Sequence, residues 1–286
     1  MAKTRRLITE NLKHVDIVIE ILDARIPYSS RNPEINRLTE QKPRLVLLNK
    51  SSLADPKQTA YWCKRLSCEN VMCIATDCVT GEGISKIMPT VEEILKEKLE
   101  RYESKGMNRR LKAMVLGIPN VGKSSLINKI SGNAKAKVEN RPGVTLDKQW
   151  FSTGIGLDIM DMPGILWPKF DNRRVGENLA LTGAIKDNVV DIEALATTLC
   201  GRLRQLYPDM LAERYKLGEL PSSDELDDYD FFLLIGRKRG FLIRGGETNV
   251  ERTANMLLDE FRSAKIGRIT LDGIFIKYDK VEEENA

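Results

Sequence analysis

At 286 residues, 42% hydrophobic and 30% charged, the chain has the composition of a folded protein rather than a disordered one, and its length suggests about two domains at ~100–200 residues each. No apolar run approaches the ~18 residues a membrane span requires, and the basic start Met1-Ala-Lys-Thr-Arg-Arg6 runs into a polar, helix-like stretch instead of the apolar core of a secretory signal. A cytoplasmic protein without a membrane partner is expected, and its net charge of +4 permits nucleic-acid binding without requiring it.

Leu7 to Lys13 reads as a helix, and the apolar, β-branched run Asp16 to Leu22 as a buried strand. Leu45 to Leu48 is a second such run, ending in Asn49-Lys50. Pro56 to Leu66 reads as a helix and Val71 to Ala75 as a third strand. After Gly81-Glu-Gly83, an amphipathic helix extends from Ile84 to about Glu103, with Ile87, Val91, Ile94 and Leu95 at helical spacing and a break expected at Pro89. Leu111 to Leu116 is a strand, Ser124 to Ile130 a helix, and Lys148 to Ser152 and Leu157 to Met160 are further strands. Such alternation indicates an α/β fold, a mostly parallel sheet covered on both faces, with ligands gathered at the carboxyl ends of its strands.

From about Asp171 the pattern becomes helical: Arg174 to Lys186, Ile192 to Leu206, Asp209 to Tyr215, Asp224 to Gly236 and Thr248 to Ser263. Only Ile266 to Leu271 and Ile274 to Tyr278 interrupt it, as short apolar, strand-like stretches. The expected division is an α/β unit over residues 1–170 and a smaller, mainly α domain over 171–286. Basic residues cluster at Lys3, Arg5 and Arg6, at Lys105, Arg109, Arg110 and Lys112, and at Arg237, Lys238, Arg239 and Arg244; acids gather at Asp224, Glu225, Asp227, Asp228 and Asp230. This segregation suits one polyanion-facing surface. Cys63, Cys68, Cys73 and Cys78, with four residues between each, fall on different expected elements (a helix, a loop, a strand and the loop after it) and read as unlinked thiols rather than a zinc site.

Gly117-Ile-Pro-Asn-Val-Gly-Lys-Ser124 fits G-x-x-x-x-G-K-[ST] between a strand and a helix. Its glycines let successive N–H groups turn inward toward an anion, aided by the positive end of the following helix. The stretch Asn120, Val121, Gly122, Lys123, Ser124 and Ser125 is therefore the candidate phosphate cradle. Lys123 would reach the β- and γ-phosphates, and Ser124 would hold Mg²⁺. Asp161-Met-Pro-Gly164 follows the Leu157–Met160 strand, where a carboxylate supports Mg²⁺ in P-loop enzymes. Asp161 is that carboxylate, the Gly164 amide is placed to sense the γ-phosphate, and Thr145, in Arg141-Pro-Gly-Val-Thr145, is the hydroxyl placed to complete the metal shell. Asn49-Lys50 has the form of a guanine-binding turn, and Asp77-Cys78 with Gly81-Glu-Gly83 that of a second base-contacting loop. Both precede the phosphate loop in the chain, so the usual order of the nucleotide motifs is circularly permuted.

In these motifs, together with Asp23-Ala-Arg-Ile-Pro27 and Ser30-Arg-Asn-Pro33, the chain resembles the ribosome biogenesis GTPase A family over nearly its whole length. The tail resembles that family's C-terminal RNA-binding domain at Gly176-Glu-Asn-Leu-Ala180 and Arg239-Gly240. The resemblance implies a bacterial cytoplasmic GTPase that assists late assembly of the large ribosomal subunit. It implies GTP and Mg²⁺ as ligands, Lys123, Thr145 and Gly164 in the catalytic machinery, the subunit precursor and its rRNA as partners, stimulation by the particle, and K⁺ held near Asn120. No obligate protein partner is implied.

Three departures qualify these expectations. The guanine-specificity carboxylate is replaced by Ser52, with Asp55 the nearest acid in sequence, which leaves relaxed purine specificity open. The family's catalytic histidine falls just before the stretch matched by Met1 to Arg6, a position that the only histidine, His14, does not match; it reads as a surface residue. Ile165 stands where Ras-like enzymes orient water with glutamine. Slow intrinsic hydrolysis is therefore expected, and a nucleotide-dependent binding module with negligible intrinsic turnover is the rival reading.

Overall fold

A computed structural model describes residues 2–107, 109–131, 149–167, 170 and 172–273. Six strands form one sheet: β1 (Ile17–Asp23), β2 (Arg44–Asn49), β3 (Val71–Ala75), β4 (Leu111–Leu116), β5 (Gln149–Ser152) and β6 (Leu157–Asp161). Their order is β3-β2-β1-β4-β6-β5, with every pairing parallel except the antiparallel β5–β6 edge. All residues of β1 and β2 are buried, which is why both read as continuous apolar runs instead of alternating ones. Parallel pairing brings the strand ends to one edge, with Asp23 directly opposite Asn49.

The helices of the first half are α1 (Ala2–Leu12), α2 (Pro33–Thr39), α3 (Pro56–Leu66), α4 (Ile87–Ile94), α5 (Lys96–Glu103) and α6 (Lys123–Ser131). Those of the second half are α7 (Arg173–Leu181), α8 (Ile192–Leu206), α9 (Pro208–Tyr215), α10 (Asp228–Lys238) and α11 (Val250–Arg262). On one sheet face Val18, Met114, Leu116 and Met160 pack with Ile8 of α1, Ile35 of α2 and the loop residues Met162 and Ile165. Leu22, Val46 and Leu48 meet Trp62 of α3. On the other face Ile19, Ile21 and Val115 belong to an apolar core that includes Val91, Ile127, Leu179, Leu199, Phe231 and Phe261, so one core runs from the sheet through the later helices.

Three elements differ from the sequence expectations. Helix α2 was not anticipated; Asn32 caps it by accepting from the Glu34 amide, with Pro33 preset for the first turn. The break expected at Pro89 lies instead at Leu95, between α4 and α5. Pro89 falls in the first turn of α4, where its missing N–H removes no intrahelical bond. Ile266 to Leu271 is not a strand: it runs as a strap across the loops after β1 and β2, with Ile266 and Ile269 to Leu271 buried, where the Ile269 amide donates to the Leu53 carbonyl at 3.1 Å and the Leu271 amide to that of Arg25 at 2.8 Å. The stretch Ile274 to Tyr278 lies outside the described residues.

The strap is pinned by Asp272, which is fully buried. Its carboxylate accepts from the Ser29 amide at 2.7 Å, the Ser29 hydroxyl at 2.8 Å and Asn178 Nδ2 at 2.7 Å, while its carbonyl accepts from Trp62 Nε1 at 2.8 Å. Replacing Asp272 by Ala removes three buried hydrogen bonds, leaving Asn178 Nδ2 only its bond to the Ser29 hydroxyl at 2.9 Å. We expect Asp272→Ala to lower unfolding stability by about 2–4 kcal/mol, measured by urea denaturation.

Candidate nucleotide-binding site

The loop between β4 and α6 wraps tightly because its glycines have no room for side chains. A Cβ on Gly117 would lie 2.7 Å from the Ile21 carbonyl oxygen, and one on Gly122, where φ is +104°, would lie 2.2 Å from Asn49 Nδ2. Asn120 itself adopts the left-handed conformation with φ of 62°. Ser124 and Ser125 are exposed in the first turn of α6, where the leading amides of a helix lack intrahelical partners.

Asn49, buried at the end of β2, joins this loop to the loop after β3. Its Nδ2 donates to the Val121 carbonyl at 2.7 Å, and its Oδ1 accepts from the Cys78 amide at 3.1 Å. Lys50, with φ of 62°, sends its Nζ to the Asn120 carbonyl at 2.7 Å and to Asp23 Oδ2 at 3.0 Å. Asp23 is in turn held by Arg25, through Nε at 2.9 Å and Nη2 at 2.7 Å. Burial opposes ionisation of Asp23, but Arg25 and Lys50 outweigh it and hold the carboxyl well below its ordinary range.

Lys123 is folded onto its own loop, donating to the Gly117 carbonyl at 3.1 Å and that of Ile118 at 2.8 Å. Burial lowers its pKa, opposed by the charge of Asp161, and the same burial raises that of Asp161 against the pull of Lys123. Asp161 Oδ1 is buried without a hydrogen-bond partner among the described residues. A cation held jointly by this orphaned oxygen and the Ser124 hydroxyl, beside a polyanion taken by Lys123, would satisfy the groups present, so the donor set fits Mg²⁺ with a polyphosphate. The segment Met162 to Ile165 lies over the loop: a Cβ on Gly164 would come 2.8 Å from Lys123 Nζ, and the Ile165 amide donates to the Gly117 carbonyl at 3.3 Å. Thr145 lies outside the described residues.

On the base side, Asp77 is buried and accepts from the Val79 and Thr80 amides at 2.8 and 3.0 Å through Oδ1, and from the Ser52 hydroxyl through Oδ2. Cys78 contributes its amide; burial pushes its thiol up to about 11. Asp55 does not replace the missing carboxylate at 52. It caps α3 through the Lys57 amide at 2.8 Å and the Gln58 amide at 3.3 Å, and its other oxygen accepts from Tyr207 at 3.2 Å.

Several contacts were invisible in the sequence. Asn120 Nδ2 donates to the Gly183 carbonyl at 2.7 Å, joining the phosphate loop to the turn after α7. Asn32 Nδ2 donates to the Ile165 carbonyl at 3.1 Å, so the residue that caps α2 also holds the loop after β6; the Asn-Pro pair signalled the cap but not this reach. Ile165 is buried against α1 and α2, which accounts for an apolar residue there. His14 is exposed, as expected. Of the basic clusters, Arg109 pairs with Asp16, Arg110 with Asp158 and Arg239 with Glu260, whereas Arg237, Lys238 and Arg244 are exposed.

A glycine loop between strand and helix, a lysine at its end and a carboxylate ending the adjacent parallel strand define a P-loop nucleotidase fold. Residues 112–202 match the family described as 50S ribosome-binding GTPase. The chain is 43% identical over 273 residues to ribosome biogenesis GTPase A of Bacillus pumilus, covering 95% of each, and 44% identical over 274 residues to that of Priestia megaterium, covering 95% of this chain and 94% of the relative. It is similar to the solved GNP-bound YlqF from T. maritima, at 26% identity and a TM-score of 0.60, over 95% of this chain and all of that one. The chain belongs to the ribosome biogenesis GTPase A family, GTP-hydrolysing enzymes of ribosome assembly. Among the described residues, no helix is long and apolar enough to cross a membrane.

Asn49→Ala removes both hydrogen bonds that join the two loops. It is expected to lower affinity for fluorescent GDP on the order of tenfold, while costing about 1–3 kcal/mol of stability. Unchanged affinity would show that the junction of the loops does not shape the nucleotide site.

Proposed function

We propose that the chain is a cytoplasmic GTPase switch for late assembly of the large ribosomal subunit, built on a circularly permuted GTP-binding unit followed by a helical RNA-binding unit. The observation that carries this reading is the Asn49 side chain, which bonds a loop ending β2 to a phosphate loop 72 residues later. Motifs scattered in unusual order thereby meet at one site. The 50S description of the matching family supports the choice of subunit, and the GNP in the solved relative supports the ligand.

In this mechanism the loop 117–122 and the first turn of α6 receive the phosphates, and Lys123 leaves the Gly117 and Ile118 carbonyls for phosphate oxygens. Ser124 and Asp161, with Thr145, hold the magnesium ion. When bound, Mg²⁺ supplies the positive charge that neutralises the β- and γ-phosphates during transfer. The Gly164 amide reports the γ-phosphate, and Asn120, which already contacts Gly183, passes the state of the loop to the helices and borders a K⁺ site. Arg237, Lys238 and Arg244 contact rRNA phosphates, giving an affinity that falls steeply with salt. The buried Ile165 side chain cannot orient water, so hydrolysis is slow until the particle completes the site.

Lys123→Ala removes the cation from the phosphates and is expected to reduce both GTP binding and turnover at least tenfold, read by nucleotide titration and phosphate release. Wild-type protein should pellet with large subunits more strongly in a GTP analogue than in GDP or without nucleotide. Equal binding in all three states would overturn the switch. Single-turnover hydrolysis should accelerate when subunits are added; an unchanged rate would favour a binding module whose turnover the particle does not control.

A further inference from the structure

The base side of the site lacks the acid that the family resemblance places three residues after β2, and position 52 carries a hydroxyl instead. Asp55, the next acid in sequence, is committed to capping α3 and to Tyr207. Asp77 is the one that lies against Ser52. The Ser52 hydroxyl donates to its Oδ2, and the Ser52 amide approaches the same oxygen at 3.4 Å.

A carboxylate has about four lone-pair positions and donates nothing while ionised. On Asp77, Oδ1 is filled by the Val79 and Thr80 amides. Oδ2 holds the Ser52 hydroxyl and only a long, weak approach from the amide, so it retains an acceptor position. The same loop supplies the Cys78 amide to Asn49, which bonds the phosphate loop at Val121, so Asp77 stands beside the junction on which the nucleotide reading rests. Val79 and Thr80 are exposed, leaving the loop open toward solvent.

We propose that Asp77 is the guanine-reading carboxylate of this chain, held in place by the Ser52 hydroxyl, so that the acid and its hydroxyl partner have exchanged places between two loops. Guanine presents a 2-amino donor that adenine and hypoxanthine lack, and the one acceptor position left on Oδ2 suits it. Adenine presents an unprotonated N1 there and is disfavoured. Burial works against the charge of Asp77, but the Ser52 hydroxyl and the Thr80 and Val79 amides outweigh it and hold the carboxyl below its ordinary range.

The inference rests on the guanine-nucleotide reading of the site, and binding of diphosphates tests it without involving hydrolysis. Wild type should bind GDP more tightly than inosine or xanthosine diphosphate, about tenfold or more for each charge-assisted bond lost. Asp77→Asn keeps an oxygen for the Val79 and Thr80 amides but turns an NH₂ toward the base. It should weaken GDP about tenfold or more and strengthen xanthosine diphosphate, which carries a carbonyl at C2, so the preference between them inverts. Equal weakening of both would show that Asp77 only shapes the loop, and would overturn the proposal.

A second pair of variants guards against simple loop damage. Ser52→Asp alone sets two carboxylates together and should weaken GDP, whereas Ser52→Asp combined with Asp77→Ser should recover affinity to within a few fold of wild type. Losses that merely add overturn the exchange. Wild type that binds all three diphosphates equally refutes Asp77 as the base reader while the nucleotide site stands. Wild type that binds none refutes the nucleotide reading itself and this proposal with it.

Discussion

The site depends on one buried side-chain amide. Asn49 uses its donor on the Val121 carbonyl and its acceptor on the Cys78 amide, so both ends are matched inside the protein where water cannot compensate. Gly122 is required beside it because any side chain there would occupy the position of Asn49 Nδ2. Next to it, the buried Asp23–Arg25 pair and the partly exposed Lys50 form a chain of charges that ends on the Asn120 carbonyl. Burying such charges is costly unless each is matched, and here each has a partner in a neighbouring loop. The ends of β1 and β2 thus hold the phosphate loop in shape.

The same groups connect the phosphate loop to the helices. The last turn of α7 leaves carbonyls without intrahelical partners. Arg262 takes those of Ala180 and Leu181 at 3.0 Å each and pairs with Asp187, while Arg25 reaches the Thr182 carbonyl and Asn120 that of Gly183. Positive and amide donors therefore meet the negative end of a helix, a favourable arrangement on electrostatic grounds. With the strap at Ile269 and Leu271 crossing back to Leu53 and Arg25, the helices are bonded to the loops that shape the phosphate site. A change in those loops has a short physical route to the later helices, through hydrogen bonds and through the apolar core that Ile21, Leu179 and Phe261 share.

Much of the fold was legible where physics is local. Buried strands such as Ile17–Asp23 announce themselves as β-branched runs, and α3 carries Asp55-Pro56 at its start and matches its expected bounds. The glycine loop was readable because turn, cradle and helix follow one another in the chain. Helix α2 escaped because seven residues show too little periodicity, and its stability comes from packing Ile35 under α1. Pro89 was misread as a break because a proline's effect depends on its position within the helix, which the three-dimensional turn before α4 determines. Ile266 to Leu271 has a strand's composition but no neighbouring strand, so it became a strap.

From its amino-acid order alone this chain specified a mostly parallel α/β sheet, a phosphate loop and the candidate residues Lys123, Ser124 and Asp161, because each signal is carried by residues adjacent in sequence. Tertiary structure decided which distant groups became partners: Asn49 with Val121, Asn120 with Gly183, Ser52 with Asp77. Those pairings follow from strand order and from the requirement that buried polar groups be matched, and neither can be read from one segment at a time.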